Sequence, residues 1–356
     1  MIISRTPFRI SFFGGGTDYP AWYRENGGVV LNSTIDKYCY ISCRFLPPFF
    51  DHKYLIRYRL IEMVNDLSEI QHPSVRECLR YMMIDQGIEM VHYSDLPARS
   101  GIGSSSAFTV GFLKAINALL GNMTGKRKLA SDAICVEQQI LGENVGSQDQ
   151  VAAAFGGLNV IEFSGRENFV VQPVTISPKK IKFFQDHLMF YFTGFSRTAS
   201  EIAAEQIKNT ASKTSQLQAM KDMVAEAIRI LNEDDAIDAF GRLLNESWKL
   251  KRSLSSRVST DDIDNMYDTA LKAGALGGKL CGAGGGGFML LFVPPRKQRM
   301  VRKVLRDFLY VPFRFENLGS HITLYANEDA NSQNTQLYRC SNTMRRHGTP
   351  ASVCSF

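Results

Sequence analysis

The chain has 356 residues, of which 44% are apolar and 21% charged, and this composition is typical of a folded, water-soluble protein. Lysine and arginine total 41 against 35 acidic residues, a net charge of +6 that is partly carried by the acid-free residues 331–356. The strongest basic cluster, residues 296–307, predicts one solvated helix face, so we expect no nucleic-acid partner. Seven cysteines without metal-ligand spacing, and no apolar run of membrane-spanning length, favour a cytoplasmic protein with reduced thiols and no membrane partner.

The first third of the chain predicts strands interrupted by glycine. Residues 2–13 have strand character, three glycines interrupt them, and residues 29–44 are rich in the valine, isoleucine, tyrosine and cysteine that strands favour. Residues 75–86 predict a helix, and residues 87–96 alternate in polarity with the period of a strand. This half is therefore expected to be a β-rich α/β domain.

A glycine- and serine-rich loop joins that last strand to a run of helical period. Its seven residues are Ser100, Gly101, Ile102, Gly103, Ser104, Ser105 and Ser106. Glycine lets the backbone turn its amide groups towards a ligand, and the start of a helix carries about half a positive charge, so the junction suits a phosphate. The serines occupy the positions of helix-capping residues, and an ordinary capped turn remains the alternative.

Two better-known phosphate loops do not fit this segment. The GxxxxGK[ST] pattern fails because no lysine follows Gly103, and the dinucleotide pattern GxGxxG fails because Ser106 stands at its third glycine. The loop therefore matches neither pattern, and a phosphate site and an ordinary capped turn both remain open at this point.

The second half of the chain changes to helical periodicity. From about residue 201, four helices are predicted at residues 201–209, 217–232, 236–253 and 260–274. The helix predicted at residues 129–142 and the strand predicted at 158–163 still belong to the β-rich half. A glycine-rich stretch at 281–287 leads into a strand at 288–293, followed by a helix at 296–310 and a strand at 322–325. A helix-dominated second domain with a small sheet fits this pattern.

Three glycine-bearing motifs occur in order, at residues 7–20, 97–107 and 279–288. Their order and content resemble the GHMP kinase superfamily over about residues 5–325. The resemblance implies an α+β fold of two domains: an N-terminal domain like ribosomal protein S5 at 1–190, and a helix-rich α/β C-terminal domain at 191–326. Residues 327–356 are expected to be a disordered tail.

Five segments carry a finer resemblance within the superfamily, to the heptose 7-phosphate kinases: FGGGTDYP, TIDKY, GIGSSSAF, VGSQDQ and TGFSRTAS. This implies ATP and Mg²⁺, with phosphorylation of the anomeric hydroxyl of D-glycero-D-manno-heptose 7-phosphate for nucleotide-activated heptose and surface polysaccharide. FGGGTDYP also resembles fucokinases, so a fucose or N-acetylhexosamine kinase is the first alternative. A silent binding or regulatory protein of the same fold is the second, and a homodimer is left open.

The resemblance also suggests catalytic residues. Asp149 aligns with the base that takes the proton of the sugar hydroxyl, and Arg9 with the cation that stabilises the transferred phosphoryl group. Ser105 and Glu137 align with the Mg²⁺ ligands. On their own, these four could equally be a turn-forming aspartate and ordinary surface or strand-edge residues.

The remaining expectations concern the sugar and the closing loop. Arg197 and either Lys249 or Lys251 are candidates for a phosphate on the acceptor, although all three could be surface charges. The expected sugar-binding residues are Gly15, Gly16, Thr17, Asp18 and Arg197. The expected active-site loop, for which a flexible hinge is the alternative, comprises Gly282, Ala283, Gly284 and Gly285.

Overall fold

The structure is a computed structural model that describes residues 1–165, 168–194, 199–233 and 237–326, except the side chain of Ala199. The strands are β1 (Ile2–Phe13), β2 (Gly28–Phe45), β3 (Tyr54–Arg57), β4 (Ile61–Val64), β5 (Ile88–Ser94), β6 (Leu158–Ser164), β7 (Asn168–Pro173), β8 (Leu188–Gly194), β9 (Gly277–Leu280), β10 (Gly287–Phe292), β11 (Leu309–Tyr310) and β12 (His321–Tyr325).

Helices lie between these strands and dominate the second half of the chain. The α-helices are α1 (Pro20–Asn26), α2 (Pro73–Tyr81), α3 (Ser104–Leu119), α4 (Lys126–Ile134), α5 (Gln148–Phe155), α6 (Pro178–Gln185), α7 (Ala199–Lys208), α8 (Thr214–Asn232), α9 (Ile237–Arg252), α10 (Asp261–Lys272) and α11 (Pro295–Val304). A π-helical turn at Cys135–Ile140 continues α4. Within the described part of the chain, every helix is too short or too polar to cross a membrane.

The larger sheet is organised around the long strand β2. Strand β1 runs antiparallel along one side of it, while the other side is shared by β6 near its start and β5 near its end. Strands β3 and β4 extend the sheet beyond β5, β7 extends it beyond β6, and β12 covers the outer edge of β1. Helix α3 packs on β1 and β2, so the loop before α3 is held at a fixed place on the sheet.

The smaller sheet has the order β11-β8-β10-β9. Strand β10 is buried along its whole length, and helices α9 and α10 carry apolar faces buried through Phe240, Leu244, Met266 and Tyr267. Such amphipathic helices are stabilised mainly by burying that face.

An aromatic cluster joins the two sheets. Phe12, near the end of β1, lies 5.4 Å from Phe184 and 5.7 Å from Phe240, measured between ring centroids, and its ring also meets Phe315. Rings at these spacings attract one another beyond their burial. The two units are therefore packed together next to the end of β1, which leads directly into the first glycine motif.

The sheets divide the chain differently from the expected cut at residues 190 and 191. That cut falls inside β8, which belongs to the smaller sheet from Leu188 onwards. Strand β12, expected in the second domain, pairs with β1 in the larger sheet. The final described segment returns to the first unit, and the expected tail at 327–356 lies outside the described residues.

Candidate active site

A pocket of about 540 Å³ opens between the two units. The first unit contributes the end of β1, the first glycine motif, the glycine- and serine-rich loop and the segment before α5. The second unit contributes residues of α7, α9 and β9 and the third glycine motif. All three glycine motifs singled out in the sequence therefore meet at one cavity.

The loop at 100–106 has the geometry of an anion site. Gly101 and Gly103 have φ angles of +77° and +74°, which residues with a Cβ rarely adopt. Gly103 itself is the N-cap of the 16-residue helix α3 and provides no side-chain cap, so the serines are first-turn residues and not the expected caps. The first N–H groups of α3 are thus left for a ligand, and the helix dipole favours an anion there.

Only part of this loop faces the pocket. Gly101, Gly103 and the three serines of α3 line it. Ser100 is buried and its hydroxyl donates to Pro97 O at 2.6 Å, and Ile102 is buried in the core. Any role of these two residues towards a ligand is limited to the backbone.

The third glycine motif lies directly against this loop. A Cβ at Gly282 would overlap the backbone of Gly101, and one at Gly287 would overlap Ser100 O. Gly282 and Ala283 line the pocket, whereas Gly284 lies against Val258 and Gly285 donates its N–H to Val258 O at 2.9 Å. Glycine is needed here because two backbones touch.

Arg9 and Asp149 form a two-pronged ion pair on the pocket wall. Arg9 Nε donates to Asp149 Oδ1 and Nη2 donates to Oδ2, both at 2.6 Å. Arg9 Nη1 donates to Gly101 O at 2.7 Å, and the Arg9 backbone N–H donates to Ile102 O at 3.1 Å. Burial lowers the pKa of Arg9, but the charge of Asp149 and the hydrogen bonds to it outweigh this and leave that pKa raised. The pair ties the carboxylate to the anion loop.

Gly103 provides the space for that carboxylate. A Cβ at Gly103 would lie 3.2 Å from Asp149 Oδ2, closer than side chains ordinarily approach. The two residues that the sequence assigned to catalysis are therefore brought together beside the expected phosphate site.

Glu137 is fully buried in the π-helical turn. Its Oε2 accepts hydrogen bonds from Ser106 Oγ at 2.7 Å and from Gln150 Nε2, while Oε1 has no partner among the described residues. Burial raises the pKa of Glu137 to about 7, partly offset by these hydrogen bonds. Single π-helical turns occur frequently at functional sites, and this one turns a carboxylate towards the first turn of α3.

The expected Mg²⁺ ligands are near one another but are not in contact. Ser105 is exposed on the pocket side of α3, and the hydroxyl bonded to Glu137 belongs to Ser106. No cluster of three or more metal-ligating side chains occurs among the residues described. An unpartnered buried carboxylate oxygen behind a first-turn serine still fits Mg²⁺, which takes few protein oxygens and completes its shell with phosphates and waters.

Asp18 joins the first glycine motif to the segment before α5. Its Oδ1 accepts from Gly16 N at 2.8 Å and its Oδ2 from Gln148 N at 3.4 Å, and a Cβ at Gly146 would overlap the carboxylate. Burial raises the pKa of Asp18, against the effect of these hydrogen bonds. Asp18, Gly15 and Gly16, three of the predicted sugar-binding residues, line the pocket.

Thr17 is placed differently from the expectation. Its hydroxyl donates within the loop to Gly14 O at 2.8 Å and accepts from Val29 N at 3.1 Å, and its side chain is buried away from the pocket. Thr17 fixes the shape of the glycine loop and is not part of the pocket wall. Arg197 lies outside the described residues.

The two candidate lysines, Lys249 and Lys251, differ in their exposure and in their partners. Lys249 is exposed and pairs with Glu246 at 2.8 Å, as a surface charge would. Lys251 lines the pocket and is buried, and its ammonium donates to Leu280 O at 3.1 Å and to Gly282 O.

Three further charged residues of the pocket wall were missed from the sequence: Arg99, Glu143 and Lys279. Lys279 stands at the start of the third glycine motif, and that position was the one available signal for it. Arg99 has a φ of +58°, a strained conformation for a residue with a side chain. Strain of this kind leaves no mark in a sequence.

Comparison with known families gives two matches in order along the chain. Residues 70–157 match the family described as GHMP kinases N terminal domain, and residues 220–311 match GHMP kinases C terminal. The first match contains the anion loop, Glu137 and Asp149, and the second contains Lys251, Lys279 and the third glycine motif.

Individual relatives cover most of the chain. The D-glycero-alpha-D-manno-heptose 7-phosphate kinase of Campylobacter jejuni is 31% identical over 318 residues, which are 86% of this chain and 93% of that enzyme. The L-fucokinase/L-fucose-1-P guanylyltransferase of Bacteroides fragilis is 26% identical over 86% of this chain and 36% of that longer protein. The solved structure of a D-glycero-D-manno-heptose 1-phosphate kinase from Bacteroides thetaiotaomicron has a TM-score of 0.75 at 24% identity and shares the fold over 92% of this chain and 100% of its own.

Proposed function

The chain belongs to the GHMP kinase family as a sugar kinase, and we propose that it transfers the terminal phosphoryl group of ATP to the anomeric hydroxyl of D-glycero-D-manno-heptose 7-phosphate. The products are the 1,7-bisphosphate and ADP, and the bisphosphate would supply nucleotide-activated heptose for surface polysaccharide. The observation that carries the proposal is the Arg9–Asp149 pair fixed against Gly101 at the start of α3. The Campylobacter enzyme supports the choice of sugar.

The anion loop is the proposed site of the ATP phosphates. The uncapped N–H groups at the start of α3 and the αL glycines Gly101 and Gly103 supply donors and a positive dipole without moving. Donors that are already in place cost no reorganisation when charge develops on the phosphoryl oxygens.

Asp149 is the proposed general base. The anomeric oxygen attacks phosphorus, the bond from phosphorus to the bridging oxygen of ADP breaks, and the hydroxyl proton passes to the carboxylate of Asp149. Arg9 holds the carboxylate of Asp149 in one orientation through its two hydrogen bonds. A positioned carboxylate of this kind contributes about 10²- to 10⁴-fold in rate.

Glu137 and Ser105 are the proposed protein ligands of Mg²⁺. When bound, the ion neutralises charge on the phosphates and orients them. The free oxygen of Glu137 is the donor that this role requires, and Ser106 and Gln150 hold the carboxylate in place. Protonated Glu137 would bind no cation, so occupancy of this site requires its ionised form.

A kinase for fucose or an N-acetylhexosamine is the second candidate. It is favoured by the FGGGTDYP segment and by the 26% identity with the Bacteroides fragilis protein. The two candidates differ in whether the acceptor already bears a phosphate. The cytoplasmic location and the homodimer remain predictions.

The test is a panel of acceptors with ATP and Mg²⁺, following ADP release and the product by phosphorus NMR. We expect heptose 7-phosphate to have the highest kcat/KM and to give a new anomeric phosphate signal. Preferred turnover of fucose or an N-acetylhexosamine would replace the first candidate by the second. No ADP release above the blank with any sugar would favour a silent binding protein.

A further inference from the structure

We propose that Lys251 and Lys279 form a phosphate-binding site on the second unit's side of the pocket, and that this site receives the phosphate that the acceptor sugar already carries. The inference rests on the proposed sugar kinase function and gives it a specificity element. It separates phosphorylated acceptors from neutral ones, whichever sugar is used.

The two lysines are buried at the pocket wall and come from different elements. Lys251 is near the end of α9 and Lys279 is in β9, with exposed fractions of 6% and 2%. Lys279 Nζ donates to Phe12 O at 3.0 Å, and Lys251 Nζ donates to the carbonyl oxygens of Leu280 and Gly282. Neither ammonium has a carboxylate within ion-pair distance among the residues described.

This arrangement leaves hydrogen-bond donors unused. Each ammonium has three N–H groups, of which Lys251 uses two and Lys279 one on backbone carbonyls. Three donors therefore remain for a ligand in the pocket. A phosphate group, with several acceptor oxygens and negative charge, matches that set.

The charges around the lysines support an anionic ligand. Burying an ammonium without a counter-ion is costly, and burial lowers the pKa of Lys251 to about 7 and that of Lys279 to about 8. Arg9 repels both ammonium groups and Lys279 also repels Lys251, while Cys281 and Asp18 act in the opposite direction. Asp149 is already neutralised by Arg9. An incoming phosphate would supply the missing negative charge.

The position of the lysines favours the acceptor over ATP. Lys279 reaches back to Phe12, immediately before the glycine loop that carries Gly15, Gly16 and Asp18. The ATP phosphates already have the start of α3 as their partner, on the first unit. Lys279 thus lies beside the sugar loop, and Lys251 lies where the third glycine motif meets the anion loop. Among the described residues, no other buried cation is left to meet a second phosphate.

The test measures binding by calorimetry without ATP, with heptose 7-phosphate and unphosphorylated heptose, for the wild type, Lys251→Met and Lys249→Met. Lys249 is the matched control because it lies two residues earlier on the same helix and is exposed. We expect Lys251→Met to weaken heptose 7-phosphate about 10- to 100-fold, the size of a lost charged hydrogen bond. Heptose affinity should stay unchanged, and Lys249→Met should match the wild type.

A second arm is independent of the sugar. With saturating ADP and Mg²⁺ in the nucleotide site, inorganic phosphate should raise the melting temperature of the wild type and Lys249→Met more than that of Lys251→Met and Lys279→Met. This experiment shows whether Lys251 and Lys279 bind phosphate even if the acceptor is not a heptose. It therefore separates failure of this inference from failure of the proposed function.

Three results would overturn the proposal. The first is an equal loss of affinity for heptose and heptose 7-phosphate in Lys251→Met, which would indicate a purely structural lysine. The second is a lower kcat or a higher KM for ATP with unchanged heptose 7-phosphate affinity, which would assign the lysines to the transferred phosphoryl group. The third is equal stabilisation of all variants by inorganic phosphate. If Lys251→Met does not fold, Lys279→Met decides by the same measurements.

Discussion

The two sides of the pocket handle buried charge in opposite ways. On the first unit, Arg9 and Asp149 neutralise one another through two hydrogen bonds of 2.6 Å. On the second unit, the partners of Lys251 and Lys279 among the described residues are backbone carbonyls. The first side is complete before any ligand arrives, as positioning of a catalytic group requires. The second side lacks its counter-charge, as expected of a surface that selects a charged ligand.

The largest effect is expected from removing the ion pair between Arg9 and Asp149. Asp149→Asn removes the proton acceptor and leaves Arg9 without its anion, so we expect kcat to fall about 10²- to 10⁴-fold. Calorimetric affinity for heptose 7-phosphate should change little, because the lysine side is untouched. Turnover within twofold of the wild type would contradict the assignment of Asp149 as the base.

The contact between the two sides can be broken separately. Gly282→Ala places a Cβ against Gly101 at a φ of +75°, and we expect a loss of stability of about 3 kcal/mol or more together with weaker ATP binding. Urea unfolding and nucleotide titration measure the two effects.

Gly121→Ala is the matched control for that substitution. Gly121 has nearly the same φ, +73°, but a Cβ there would meet nothing within 4 Å among the described residues. Its cost should be only the αL penalty of about 1 kcal/mol, with ATP binding unchanged. Equal losses for the two variants would show that strain, and not the contact between loops, sets the requirement for glycine at 282.

A smaller effect is expected at Glu137, another buried charged residue of the site. Its pKa is raised from 4.5 to about 7 in the folded protein, so its contribution to stability is fully present below pH 4.5 and is lost as the pH rises through 7. In Glu137→Gln this loss is absent. Without Mg²⁺, the variant should therefore gain on the order of 1–3 kcal/mol relative to the wild type between pH 5 and pH 8.

Urea unfolding of both proteins at the two pH values measures that gain. A constant difference between them would mean that Glu137 is ionised throughout. The same variant should lose Mg²⁺-dependent turnover, which would make Glu137 a residue kept for function at a cost in stability.

Much of the architecture follows from the pattern of the sequence. The family and the two-domain α+β fold are confirmed by the domain matches and the solved structures. Strand β1 begins and ends at the expected residues, and helices α8 to α10 agree to within a few residues. Long runs with one clear period, or bounded by glycines, predict such elements well.

The elements that the sequence analysis did not predict show no clear alternation of polar and apolar residues. Strand β8, Leu188–Gly194, is apolar at consecutive positions and its first four residues are buried whichever face they point to, so alternation cannot identify it. The predicted helix at 296–310 ends at Val304 in the structure, and Leu309–Tyr310 is a short strand.

The sequence predicted the parts of the candidate site that lie in recognisable motifs. Arg9 and the anion loop lie in two of the glycine motifs and Asp149 lies in the VGSQDQ segment, so the motifs pointed to all three. Details that depend on tertiary contacts were not accessible: the internal hydrogen bonds of Thr17, the π-helical turn that brings Glu137 to Ser106, and the burial of Lys251 against the carbonyls of Leu280 and Gly282. Helical periodicity places Lys251 on the face of the buried Leu244 and Trp248 and places Lys249 on another face, so this difference was available from the sequence.

Strand β8 lies in the first half of the cut chain but pairs in the smaller sheet, and β12 lies in the second half but pairs in the larger sheet. This has a consequence for proteolysis. A single nick after residue 194 would give one fragment that still holds β8, an inner strand of the smaller sheet, and another that still holds β12, which covers the edge of β1. Each fragment would thus keep a piece that the other needs. A nicked chain should stay together as a complex, and neither half should be obtainable as an independently folded protein.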